Sequence, residues 1–179
     1  MVDNIFLEIV TPSGIALRER VVELTAPSVT GEFGVLPGHL PVLAALRTGI
    51  VSYRQDGKEN KVAVAHGFVE IVHDTALLIT EKFASKDDVD VVRVRKRLKE
   101  VDEELDHWTG ELTDPKRVEL IEEEQWLATE LELIGDPPPP MVREETRYLA
   151  PHAEPPPEGE LATESVPDDS LTQPGKEEE

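Results

Sequence analysis

The sequence predicts a β-sandwich followed by an antiparallel two-helix hairpin and a disordered, proline-rich acidic tail. Three observations carry this. Apolar residues alternate with period two through residues 1–84 and then advance by threes and fours through 85–134. Ten of the fifteen prolines fall in 135–179, a composition that cannot bury enough apolar surface to offset its ordering entropy. Charge divides along the same lines, with nets of −3, −8 and −9 for the three segments of a chain whose total is −20.

In the first segment Ile5, Leu7 and Ile9 alternate, as do Val22, Leu24 and Ala26, then Val62 and Val64, then Leu77 and Ile79. Turn chemistry separates these runs at Pro12-Ser13-Gly14, Asp56-Gly57 and His73-Asp74. Asp56-Gly57, lying between the runs Ile50–Tyr53 and Lys61–Ala65, predicts a hairpin whose loop is longer than two residues. Short strands at this spacing suggest a sandwich or small barrel.

The second segment changes period. Val91, Val94, Leu98, Val101, Leu105 and Trp108 form the seam of a packed helix. Ser85, three residues before Asp88, is expected to cap it, and Asp87 and Asp88 suit its dipole. Thr109-Gly110 breaks the run, and Asp114-Pro115 is a cap followed by proline at the first helical position. Leu120, Leu127, Leu131 and Ile134 make the next stripe, interrupted by Glu124, and Gly135 ends it. So short a connection makes the helices an antiparallel hairpin, with the stripes as packing faces.

Composition excludes several functions. A surplus of acids opposes direct nucleic-acid binding and a polybasic hold on anionic lipid. No run approaches the roughly 18–20 apolar residues of a membrane span. The first twelve residues carry no Lys or Arg, so neither a signal nor a transit peptide is expected there. With no cysteine, thiolate metal sites and a cysteine nucleophile are excluded. His39, His66, His73, His107 and His152 show no metal-ligand spacing, and no nucleophile elbow or phosphate-cradling glycine loop is present. No catalytic residue, metal ligand or cofactor is therefore assigned, and an independent enzyme is not expected.

One stretch stands apart: Gly31-Glu32-Phe33-Gly34-Val35-Leu36-Pro37-Gly38-His39-Leu40-Pro41. Its glycines and prolines fix an unusual path. It reads either as an ordinary loop crossing the sandwich edge or as a rigid docking loop held by a scaffold, and the residues alone leave both open.

Leu7-Glu8-Ile9-Val10-Thr11-Pro12-Ser13-Gly14, followed by Gly31 to His39, resembles the epsilon subunit of F-type (proton-translocating) ATP synthase. Arg47-Thr48-Gly49-Ile50-Val51 and Ala65-His66-Gly67-Phe68-Val69-Glu70-Ile71 follow in the family's order, and the resemblance covers about residues 3–134. It implies a non-catalytic central-stalk subunit that couples proton-driven c-ring rotation to ATP synthesis through gamma. It implies gamma and the c-ring as partners, alpha and beta contacts through the hairpin, and membrane association only through the complex. The location would be the cytoplasmic face of the plasma (inner) membrane, or the stromal face of the thylakoid. The matching loop residues Glu32, Phe33, Val35, Leu36 and His39 would form the gamma and c-ring contact. The alternative is a free-standing acidic protein-binding module.

Some members of that family bind ATP through an Ile/Leu-Asp-x-x-Arg-Ala motif at the start of the first helix. Asp90 and Arg93 match it, but Val94 replaces the alanine, and Glu100 stands where such members place another arginine. Only weak ATP contact is expected. In the family's inhibitory state the second helix extends into the catalytic head, aided by basic side chains. Here Asp114 to Ile134 carries Lys116 and Arg117 against seven acids, while Arg93 to Lys99 would lie beside Glu122 to Glu130. A compact hairpin is expected.

Overall fold

The computed structural model describes residues 4–138. Ten strands come first: β1 (Ile5–Thr11), β2 (Gly14–Val21), β3 (Glu23–Ser28), β4 (Gly31–Val35), β5 (Val42–Leu46), β6 (Gly49–Gln55), β7 (Lys58–Val64), β8 (Gly67–Val72), β9 (Thr75–Thr80) and β10 (Phe83–Ala84). A 3₁₀ turn at Lys86–Asp88 leads to α1 (Val91–Asp106) and α2 (Pro115–Leu133).

The hydrogen-bonded path runs β10-β7-β6-β3-β5-β8-β9-β1-β2, with β4 pairing β3 off that path. Strand β3 carries the path between two layers. Its start, Glu23 to Thr25, pairs β6, and its end, Ser28, pairs Leu46 of β5. The inner faces meet in one core: Leu24, Val35, Val51 and Val64 from one layer, Ile5, Leu7, Ile9, Val69, Ile71 and Leu78 from the other. Fully burying each such side chain stabilises by about 1.5–3 kcal/mol.

Tight turns decide which residues face that core. Asp56 and Gly57 have φ of 50° and 75°, with Gln55 directly opposite Lys58. This is a two-residue turn of the primed class that suits strand twist, so the loop is shorter than expected. The polar residues on either side continue the ladder, because an exposed strand end needs backbone partners and not apolar ones.

His73 and Asp74, at φ 48° and 57°, make the same kind of turn between Val72 and Thr75. That register sets Ile71 against Ala76 and Val69 against Leu78. Directly opposed residues share a face, so Ala76, Leu78 and Thr80 are buried while Ile79 is exposed. The alternating pair Leu77 and Ile79 thus lies on the outward face. The buried Thr80 hydroxyl donates to the Ala65 carbonyl at 2.9 Å. Val22, which alternates with Leu24 and Ala26 in the sequence, lies at the bend after β2 and is exposed, whereas Val21, opposite Ile5, is buried.

The helices form an antiparallel pair whose seam joins Val94, Leu98, Val101 and Leu105 to Leu120, Leu127 and Leu131. Ser85 does not cap α1. It forms a capping box with Asp88 on the 3₁₀ turn, and its hydroxyl and amide hold the Asp88 carboxyl below its usual range. Asp90 is the true cap, its carboxylate accepting from the Val92 and Arg93 amides at 3.1 Å each. Asp114 caps α2 by accepting from the Lys116 amide at 2.9 Å, with Pro115 in the first turn. Gly135, at φ 84°, closes α2: its amide donates to Glu132 and that of Asp136 to Leu131, both at 3.0 Å, a Schellman ending. The first residues of the 135–179 segment therefore finish the helix. The rest of the expected tail, from residue 139, lies outside the described residues.

Charge pairs hold the hairpin shut. Arg97 forks onto Glu123 at 2.7 and 2.8 Å and also reaches Glu100 and Glu104. The pairing raises the Arg97 guanidinium and lowers the Glu123 carboxyl from their ordinary ranges. Arg95 bonds Asp136, its Nε lying 3.0 Å from the carboxylate. Each exposed pair contributes only about 0.2–1 kcal/mol; Arg97–Glu123 and Arg95–Asp136 tie α1 to α2 and its end, while the Glu100 and Glu104 contacts lie within α1.

A second face of α2 meets the sandwich. Leu133 is buried with Ala63 of β7 and Ala84 of β10, and Trp126 packs beside them. This face escaped the sequence reading because Glu130, which the fold buries, sits in the middle of it.

Candidate functional site

The conspicuous loop is mostly strand β4 and the turn that follows. The Ser28 hydroxyl donates to the Gly31 carbonyl at 2.7 Å, holding the β3–β4 turn. At the other end the Gly38 amide donates to an Asp74 carboxylate oxygen at 2.6 Å, fastening the turn after β4 to the β8–β9 turn. Gly38 has φ 82°, a conformation that favours glycine. The His39 ring donates through Nδ1 to the Leu40 carbonyl at 2.7 Å.

The five loop residues do not form one patch. Val35 is 1% exposed and belongs to the core, and Phe33 packs half-buried against it. Enclosed in the core, Val35 has no surface left for the apolar contact expected of it, whereas Phe33 keeps part of its surface. Leu36 is 58% and Leu40 79% exposed, beside half-buried His39. Glu32 lies at the opposite end of β4, exposed and 3.9 Å from Arg47 in the β5–β6 turn. The loop therefore presents two separate ends, a carboxylate–guanidinium pair and a histidine flanked by leucines.

A larger apolar surface lies on the outer face of the neighbouring layer. Ala45 of β5 is directly opposite Phe68 of β8, Phe68 opposite Ile79 of β9, Ile79 opposite Val10 of β1, and Val10 opposite Ile15 of β2. Five strands thus contribute one unbroken apolar row. Strand spacings of about 4.8 Å make it about 19 Å long. Phe68, Ile79 and Ile15 are each more than half exposed, and Leu43, two residues from Ala45 on β5, is 71% exposed. An outward apolar row of this extent is what a partner surface requires. The sequence did contain a signal for it: Ala76-Leu77-Leu78-Ile79 is apolar without a break, the mark of a strand covered on both faces.

Of the third candidate pair, Asp90 and Arg93, only Arg93 lines a groove of about 660 Å³ between the helices and the β9–β10 connection. The Asp90 carboxylate is occupied by its own helix amides. Arg93, Lys82, Lys96 and Arg97 line the groove together with Glu100, Glu119, Glu122, Glu123 and Glu130. Even with Glu130 left out, the acids equal the bases there, and Arg97 is already forked onto Glu123, an arrangement that opposes a triphosphate. Among the described residues no helix is long and apolar enough to cross a membrane.

Residues 4–86 match the family described as ATP synthase, Delta/Epsilon chain, beta-sandwich domain. The ATP synthase epsilon chain of Nitratidesulfovibrio vulgaris is 39% identical over 114 residues, spanning 60% of this chain and 85% of that one. The ATP synthase epsilon chain of Citrifermentans bemidjiense is 38% identical over 111 residues, spanning 62% and 80%. Among solved structures, a chain of the Euglena gracilis mitochondrial ATP synthase OSCP/F1/c-ring complex superposes with a TM-score of 0.57 at 22% identity, over 76% of this chain and 80% of that one, and so shares the fold. With sandwich, helical pair and relatives in agreement, the chain belongs to the family of ATP synthase epsilon chains.

Proposed function

We propose that this epsilon subunit is a non-catalytic part of the central stalk, passing rotation of the c-ring to the catalytic head through gamma. The observation that supports this best is the outward apolar row Ala45–Phe68–Ile79–Val10–Ile15, which would be covered by gamma. Beside it, the two ends of β4 would reach the c-ring and gamma, with Glu32 and His39 as polar contacts. On this reading residues 1–84 carry the assembly surfaces and residues 85–134 the regulatory ones. The subunit would lie on the cytoplasmic face of the membrane, or the stromal face of a thylakoid, held there by the complex. The test is assembly. A tagged full-length chain should retain gamma and the c-ring on purification, and failure to retain either would overturn the reading. Glu32→Lys, which reverses charge beside Arg47, should retain the c-ring several-fold less well and weaken ATP-driven proton pumping. Normal retention and pumping in that variant would remove Glu32 from the contact.

Regulation by the hairpin would be slight. The Arg97–Glu123 fork and the Arg95–Asp136 contact both favour the closed pair, and α2 carries more acids than bases toward any acidic surface. ATP hydrolysis by the assembled complex should therefore change less than twofold when residues 85–179 are removed. A several-fold rise persisting at moderate salt, where exposed pairs are screened, would show that the helices inhibit.

A further inference from the structure

Glu130 is a buried carboxylic acid where the charged groove meets the apolar seam between α2 and the sandwich. It is 6% exposed and lies on α2 between Trp126 and Leu133, the two residues that join Ala63 and Ala84 of the sandwich. Two of the nearby cations have partners of their own, while Arg93 is exposed. Arg97 is forked onto Glu123, and the Lys82 ammonium lies over the Trp126 ring, 5.8 Å from its centroid. We propose that Glu130 is a proton-operated catch between the hairpin and the sandwich. Neutral, it lies in the seam and holds α2 against β7 and β10. Ionised, it draws water into the seam and α2 loosens there, while α1 and α2 stay paired through their own leucine seam.

Burial, the stronger influence, pushes the Glu130 carboxyl up, and Arg93 and Lys82 pull it part of the way back. The other charges of the groove, Lys96 and Glu100 on α1 and Glu119 and Glu122 on α2, are exposed and screened. On the sandwich side Ile50, Ala63 and Ala84 carry no charge. A carboxyl whose folded pKa exceeds its unfolded one binds its proton more tightly in the docked state. Docking is therefore tightest in acid, weakens as pH rises through the docked-state pKa, and is constant above it.

The experiment uses the full chain carrying Trp108→Phe, so that Trp126 is the one remaining tryptophan. Its emission should shift to the red in a single transition as pH rises, centred above the ordinary glutamate range. Glu130→Gln in this background should lose the transition and keep the blue-shifted emission throughout. Arg93→Met, which removes an exposed cation and leaves the seam intact, should move the midpoint to higher pH, because the ionised form loses its support. A transition that survives in Glu130→Gln, an Arg93→Met midpoint that is unmoved or lower, or a flat profile in the parent would each overturn the catch. Should Glu130→Gln fail to fold, the Arg93→Met midpoint decides. The readout needs no gamma or c-ring, so it stands or falls apart from the stalk assignment.

Discussion

Gly67→Ala should destabilise the sandwich by about 3 kcal/mol, at the upper end of what overpacking costs. Gly67 opens β8, directly opposite Leu46 of β5 and Thr80 of β9. A Cβ at this position would stand 2.0 Å from the Ile79 carbonyl oxygen and 3.0 Å from both the Ile79 carbonyl carbon and the Thr80 Cα. All three are backbone atoms, so no rotamer change relieves the clash. Strand β9 would have to move away from β8, breaking the Thr80 hydroxyl contact to Ala65 and parting Leu78 from Val69 in the core. For a domain of this size about 3 kcal/mol corresponds to a melting point lower by about 12–24 °C. Gly34→Ala is the control: no atom lies within 4 Å of its Cβ position, so its melting point should stay within a few degrees of the parent. Calorimetric melting of the three chains checks both. A Gly67→Ala protein that melts with the parent would show that β8 and β9 separate without loss.

Where one signal governs a residue, the sequence made the fold legible. Ile5, Leu7 and Ile9 keep strict alternation and are all buried, and the leucine seam of the hairpin follows helical spacing and packs as spaced. Reading failed where two faces compete. In β9 both faces are apolar, so alternation cannot choose between Leu77/Ile79 and Ala76/Leu78, and the choice falls to the His73-Asp74 turn through its register. A one-residue slip of register exchanges every side chain between the two faces. In α2 the second stripe was masked by Glu130, because a charged residue marks a solvated position unless tertiary packing encloses it. The cap shifted for a different reason: both Ser85 and Asp90 can cap, and the 3₁₀ turn between them gives each its own helix start.

The candidate site was legible only in part, for the same reason. The glycines and prolines of residues 31–41 announced a constrained path, and the path is constrained, but sequence adjacency concealed that β4 separates Glu32 from His39 by its whole length. Spacing along a chain says nothing about which end of a strand each residue occupies until the strand itself is placed. Only the β9 member of the outer row left a local mark, the unbroken run Ala76 to Ile79; the row as a whole lies on five strands whose residues become neighbours only through pairing.

That row is expected to carry most of the affinity for gamma, and Phe68→Asp should break it. Phe68 stands near the middle of the row, between Ala45 and Ile79, and is 58% exposed. Its substitution removes little from the core, so the melting point of the isolated chain should move by no more than a few degrees. Binding should suffer far more. Interface energy concentrates in central aromatic and large apolar residues, where truncation costs about 2 kcal/mol or more. Aspartate also places a charge against a desolvated surface, so gamma should bind at least about thirtyfold more weakly. Ile79→Asp should act alike, since the two residues are directly opposed. Phe68→Leu, which keeps the apolar surface, should retain most of the affinity. Glu59→Lys on β7, in the other layer, should leave it unchanged. Pull-down of gamma, with folding verified by melting, separates these outcomes. Full retention of gamma by a folded Phe68→Asp chain would exclude this face as the gamma contact and leave the ends of β4 as the surface to examine.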